Sequence, residues 1–291
     1  MSGKKIGLIF VLMLMYFIAG CSYDVGLDRN EWADRYDFEN DEVFSIEIGD
    51  YGFPFIDVDI NDKDIKMMFD TGNMVGLLVS ANVAEQLDLN KIGEYIERDA
   101  SGNIRGNYDI FDSEEVFVFG KNINIKIRES FSDSFEGIIP PSLLSNKRFT
   151  IDYSNEFIGV SENYFPKSIV KNKTFRLITN TDFPHLNSMP VIKGVVNGQE
   201  VFIQLDTGKS RTVVDEKLIE VLDLQLNKRG YKIESIKLGS FEFSVTNAKR
   251  GNFNGISRGY PGPIMLGLGS DIISEFVFTV DYPNQKVIIS Q

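Results

Sequence analysis

The chain is written twice. Pro54-Phe-Ile-Asp-Val-Asp-Ile-Asn61, followed by Ile65-Lys-Met-Met-Phe-Asp70-Thr71-Gly72, recurs as Pro190-Val-Ile-Lys-Gly-Val-Val-Asn197, followed by Val201-Phe-Ile-Gln-Leu-Asp206-Thr207-Gly208. The offset is 136 residues throughout, with no gap. Self-similarity at a fixed offset predicts two copies of one folding unit. Each copy reads as strand, tight turn, strand. Met67 and Phe69, like Ile203 and Leu205, alternate with their neighbours as a half-buried strand requires. Asn61-Asp62 and Asn197-Gly198 are hairpin turn pairs.

The likeness extends beyond the two Asp-Thr-Gly turns. An apolar run follows each, Val75 to Val79 and Thr212 to Val214, and then a short helix for which Ser80 or Asp215 is the N-cap. Phe149-Thr-Ile-Asp152-Tyr153 matches Phe278-Thr-Val-Asp281-Tyr282, each before a turn and a terminal strand. This places one unit at residues 43–165, a polar connector at 166–182 and the second unit at 183–291. Asp70 to Gly120 is 50 residues, whereas Asp206 to the matching Gly239 is 33. The first copy therefore carries about 17 extra residues, which include the hairpin-tip sequence Ala100 to Gly106.

Residues 1–20 read as a signal peptide. Lys4 and Lys5 precede the apolar run Ile6 to Phe17, and Ile18-Ala19-Gly20 lead to Cys21. Ile-Ala-Gly-Cys resembles a bacterial lipobox, which implies lipidation of Cys21 and a membrane-anchored lipoprotein of the bacterial envelope, on its periplasmic or extracellular face. Cys21 is the only cysteine, so the mature chain has no internal disulfide. The polar, acidic stretch over 21–42 predicts a flexible tether. The net charge of −12 argues against nucleic acid as a partner.

Two aspartates in matched turns suggest a shared chemistry. Close carboxylates cannot both ionise cheaply, so they share one proton. The ionised member takes a proton from water as that water attacks a carbonyl, and the protonated member donates to the carbonyl oxygen. Gly72 and Gly208 allow close backbone approach, while Thr71 and Thr207 can bond across to the opposite loop.

Phe69-Asp70-Thr71-Gly72-Asn73 and Leu205-Asp206-Thr207-Gly208, with Ile264-Met265-Leu266-Gly267 and its counterpart Gly137-Ile138-Ile139-Pro140, resemble the pepsin and retropepsin clan of aspartic proteases. The resemblance covers about residues 45–291. It implies an all-β, two-lobed double β-barrel with few short helices, Asp70 and Asp206 as catalytic pair, and Thr71, Gly72, Asn73, Thr207 and Gly208 in support. It also implies a flap over Arg98–Tyr108 containing Gly102, Ile104 and Gly106, a peptide or protein substrate, and no metal or cofactor. Both aspartates lie in one chain, so a monomer suffices for a site.

The chain departs from that pattern at Asn73 and Lys209, where the family has a small residue, and at Pro140, where it has glycine. An ammonium at Lys209 would favour ionisation of both aspartates, or would point to solvent. Two functions follow: a lipid-anchored aspartic endopeptidase, or a non-catalytic peptide-binding module on the same fold. The single histidine, His185, lies in a Pro- and Asn-flanked segment and reads as surface. Asp152 and Asp281 read as turn caps. Trp32 lies in the predicted tether, to pack on the domain or meet a membrane interface.

Overall fold

The computed structural model describes residues 26–99, 101–112, 115–130, 132–162 and 172–290. The signal sequence and Cys21 lie outside them, as do residues 166–171 of the connector. The chain is mostly β, with four short α-helices among the described residues.

The repeat folds as two matched hairpins. Strand Pro54–Ile60 pairs with Lys63–Phe69, and Val191–Val196 with Gln199–Leu205. Asn61 and Asp62 have φ of 53° and 61°, and Asn197 and Gly198 have 44° and 88°. Such left-handed turn pairs match the twist of the flanking strands. Strands Leu77–Val79 and Val213–Asp215 follow the aspartate turns, and each leads into a helix. Ser80 Oγ caps Ala81–Gln86 by accepting from Val83 N at 3.3 Å, and Asp215 caps Glu216–Val221 by accepting from Lys217 N at 2.9 Å.

Strands Gly137–Ile139 and Ile264–Leu268 return parallel to the second strand of each hairpin. Ile139 stands opposite Phe69, and Leu268 opposite Leu205. Gly137–Pro140 therefore corresponds to Leu266–Gly269 and not, as expected, to Ile264–Gly267. The register shift between Phe202 and Ile203 accounts for one of the two residues by which the second copy is displaced. Pro140 follows the last ladder residue, so its missing N–H breaks no strand pairing.

In the C-terminal half six strands close into a barrel, in the order Val191–Val196, Gln199–Leu205, Ile264–Leu268, Val213–Asp215, Phe241–Gly251 and Tyr231–Leu238. The N-terminal half forms a ten-stranded sheet curved into a half-barrel. Its extra residues form the hairpin Asn90–Arg98 and Ile104–Asp112 at one edge. A six-stranded sheet joins the halves. Its central strands, Arg148–Asp152 and Val277–Asp281, are the two copies of the Phe-Thr-Ile/Val-Asp motif, paired antiparallel about Thr150 and Thr279. One apolar core runs through both halves, from Ile56 and Phe69 through Phe149 and Phe278 to Ile203 and Leu268.

Two expected boundaries change. Residues 28–42 are folded against the molecule rather than forming a tether. Helix Arg29–Tyr36 opens on an Asp28 capping box and buries Trp32, Ala33 and Tyr36. Trp32 is fully buried and its Nε1 donates to Asp152 Oδ2 at 2.9 Å. Its ring lies 5.6 Å from Phe38 and 5.7 Å from Phe157. The connector, in turn, contains strand Asn172–Arg176, which pairs with Lys286–Ser290 at the edge of the shared sheet.

Candidate active site

The aspartates sit where the matched strands end. Asp70 N donates to Ile139 O and Asp206 N to Leu268 O, both at 3.0 Å. Each chain then turns back on its own carboxylate: Gly72 N donates to Asp70 Oδ1 at 2.7 Å, and Gly208 N to Asp206 Oδ1 at 3.1 Å.

The two turns are locked by a reciprocal set of bonds. Thr71 N donates to Thr207 Oγ1 and Thr207 N to Thr71 Oγ1, each at 3.0 Å. Thr71 Oγ1 donates to Leu205 O at 2.7 Å, and Thr207 Oγ1 to Phe69 O at 2.5 Å. Both threonines are fully buried, so every polar atom must find a partner inside. Four bonds between halves fix the turns at a single separation.

That separation brings the carboxyls together. A Cβ on Gly72 would lie 2.3 Å from Asp206 Oδ2, and one on Gly208 would lie 2.2 Å from Asp70 Cγ. Any larger residue would displace the opposite carboxyl. The two carboxyls thus face each other across the turns, close enough for the charge on Asp206 to oppose ionisation of Asp70. Asp206 is buried, and Asp70 is half-buried at the floor of a cavity of about 280 Å³. Burial first and the Asp206 charge second push Asp70 up to about 7, against the opposing pull of Lys209 and the Gly72 N–H. Tyr153 is buried, and burial followed by the Asp206 and Asp70 charges pushes its hydroxyl upward.

Lys209 points inward. Its Nζ pairs with Asp206 Oδ2, lies 3.4 Å from Gln204 Oε1 and stands 5.9 Å from the centre of the Phe253 ring. Asn73 does not reach a carboxylate. Its Nδ2 donates to Gly76 O at 2.8 Å and its Oδ1 accepts from Val75 N at 2.9 Å, so it ties down its own turn at the cavity wall.

The extra hairpin lies over the cavity. Glu97, Arg98, Asp99 and Arg105 line it, opposite Lys209 and Ile256. Ser101 Oγ donates to Asn252 O at 3.3 Å, which links the tip to the segment that follows strand Phe241–Gly251. Gly102 has φ 91° in the tip turn, Ile104 is 62% exposed and Gly106 pairs with Glu97. These three shape the hairpin and do not line the cavity. Glu97 was not singled out in the sequence, although Gly93, Tyr95 and Glu97 follow period-two spacing onto one face.

His185 is exposed. Asp152 Oδ1 accepts from Ser154 N and Asn155 N, and Asp281 Oδ1 from Asn284 N, as turn caps do. A larger cavity of about 1080 Å³ lies on the C-terminal half beside Phe175, Lys193, Phe202 and Tyr260. Among the described residues Asp182 is the only carboxylate lining it, and no second one pairs with it there. No family model and no curated protein matches the sequence.

Proposed function

We propose that this chain is an aspartic endopeptidase of two pepsin/retropepsin-like lobes, held at a bacterial envelope membrane through a lipidated Cys21. The reading is carried by one observation: each carboxyl is packed against the other turn's glycine while Thr71 and Thr207 lock the turns reciprocally. A pair held so closely favours a single shared proton.

Lys209 breaks the symmetry of that pair. Its ammonium sits on Asp206 and favours the carboxylate there, leaving the shared proton on Asp70. A water bound between the carboxyls gives a proton to Asp206 as its oxygen attacks the scissile carbonyl. Asp70 gives its proton to the carbonyl oxygen, forming a neutral gem-diol. Collapse passes a proton to the leaving amine, breaks the C–N bond and returns the pair to its starting state. The hairpin over the cavity excludes bulk water and holds the peptide in line. One chain supplies both aspartates, so a monomer carries the complete site.

The test is cleavage of a denatured protein by the chain lacking its signal sequence. Asp70→Asn and Asp206→Asn should each abolish cleavage while leaving the protein folded; activity that survives either substitution overturns the mechanism. The Lys209–Asp206 pair also favours a second reading, a non-catalytic peptide-binding module. That reading expects no cleavage from pH 3 to 8 with peptide binding retained, and cleavage lost in both variants excludes it.

A further inference from the structure

Among the charged side chains over the cavity, Glu97 has an unspent hydrogen-bonding atom. Asp99 accepts from Ser101 N and Asn103 N at 2.9 Å and so holds the hairpin tip. Arg98 NH1 donates to Gly102 O at 3.1 Å, and Lys209 pairs with Asp206. Glu97 is 5% exposed, yet its Oε2 is buried with no hydrogen-bond partner. Its Oε1 has only the loose approach of Arg105 NH1, at 3.7 Å, from a side chain that is 44% exposed.

The hairpin holds this carboxyl inward. Tyr95, two residues back on the same face, donates its hydroxyl to Glu129 O at 2.7 Å and lies 5.2 Å beneath Arg128. Those contacts fix the strand face, and with it the direction of Glu97. A buried acceptor without a donor is costly, and a desolvated carboxylate is repaid best by a full positive charge rather than by a neutral amide.

We propose that Glu97 is a specificity residue that receives a lysine or arginine side chain of the peptide substrate next to the scissile bond. The inference rests on the endopeptidase reading for the substrate class. Arg105, on the exposed side of the hairpin, yields part of its place to the incoming cation. The net charge of −12 draws cationic peptides toward the chain, and Glu97 supplies the contact that selects among them.

The experiment uses the chain lacking its signal sequence and three peptides that differ at one position near the cleaved bond: lysine, norleucine or glutamate. The unsubstituted protein should cleave the lysine peptide at least about tenfold better in kcat/KM than its neutral isostere. Glu97→Gln, which keeps the shape, should bring that ratio below about threefold. Glu97→Lys should favour the glutamate peptide. An unchanged lysine preference in Glu97→Gln, or an equal loss on all three peptides, overturns the inference. Should no peptide be cleaved, fluorescence anisotropy with the same peptides separates the two ideas. Lysine-selective binding that Glu97→Gln removes upholds Glu97 while the hydrolytic reading fails; binding without selectivity, or no binding, overturns Glu97 as well.

Discussion

Thr150 and Thr279 meet hydroxyl to hydroxyl at 2.7 Å in the middle of the shared sheet, and they are the same position of the repeated motif. Both are fully buried. Like the Thr71–Thr207 pair, they mark where the two halves mirror each other about a local twofold axis. Thr150→Val should leave the Thr279 hydroxyl buried without its partner and cost about 1–3 kcal/mol. The double change Thr150→Val with Thr279→Val removes both polar groups and should recover part of that loss. Urea denaturation of the single and double variants checks it; a double variant as unstable as the sum of the singles would count against a specific hydroxyl pair.

The N-terminal helix should be structural. Trp32 fills a pocket between Phe38 and Phe157 and satisfies Asp152, whose other oxygen caps the following turn. Trp32→Ala should cost about 3–5 kcal/mol, the usual range for emptying a buried aromatic site. A chain beginning at Val43 should melt lower than one beginning at Gly26, and proteolysis should cut it faster. Equal melting temperatures would mean that the helix is not part of the folded unit.

Asp70 gives stability a pH dependence of known sign. Its folded pKa, pushed up to about 7, lies above the value of about 3.9 for an unfolded aspartate. Between those values the native state holds a proton that the unfolded state has released. This contribution is complete below about pH 4 and is lost as pH rises through about 7. Asp70→Asn cannot titrate, so its stability relative to the unsubstituted chain should increase from pH 4 to pH 8. The gain should be on the order of 1–4 kcal/mol, at the lower end because Asp70 is open to water in the cavity. Denaturant titrations at the two pH values measure it, and a gain that shrinks with pH would reverse the assignment.

Much of this was legible in the sequence because the hairpins are local. Alternation, Asn-rich turns and Asp-Thr-Gly are each set by neighbouring residues, and repetition at one offset made the pattern visible. The Arg29–Tyr36 helix was hidden because it is mostly polar; only Trp32, Ala33 and Tyr36 touch the core. The match of Pro140 was misplaced by two residues, one of which comes from a register shift that the residues do not announce. The inward turn of Lys209 was also beyond reach. Its neighbours are compatible with either direction, and only the carboxylate and Gln204 across the turn decide it. Glu97 was overlooked for a related reason: a charged residue on an edge hairpin ordinarily faces water.

Lys209 should shape the pH profile of cleavage. In the proposed mechanism cleavage needs a proton on Asp70, so the alkaline limb of the profile should follow the release of that proton. The Lys209 charge opposes the two effects that raise Asp70, burial and the Asp206 charge. Lys209→Met removes the opposition while keeping most of the side-chain bulk, and Asp70 should then hold its proton to higher pH. The alkaline limb should move upward, by an amount that grows at low ionic strength where charges are least screened. The same change frees Asp206 from its ion pair and so should also lower the peak rate, because the base is no longer held ionised in one place. Profiles of kcat/KM for the two proteins, each at low and high salt, measure both effects. An alkaline limb that stays fixed or moves downward would show that the lysine does not act on the shared proton.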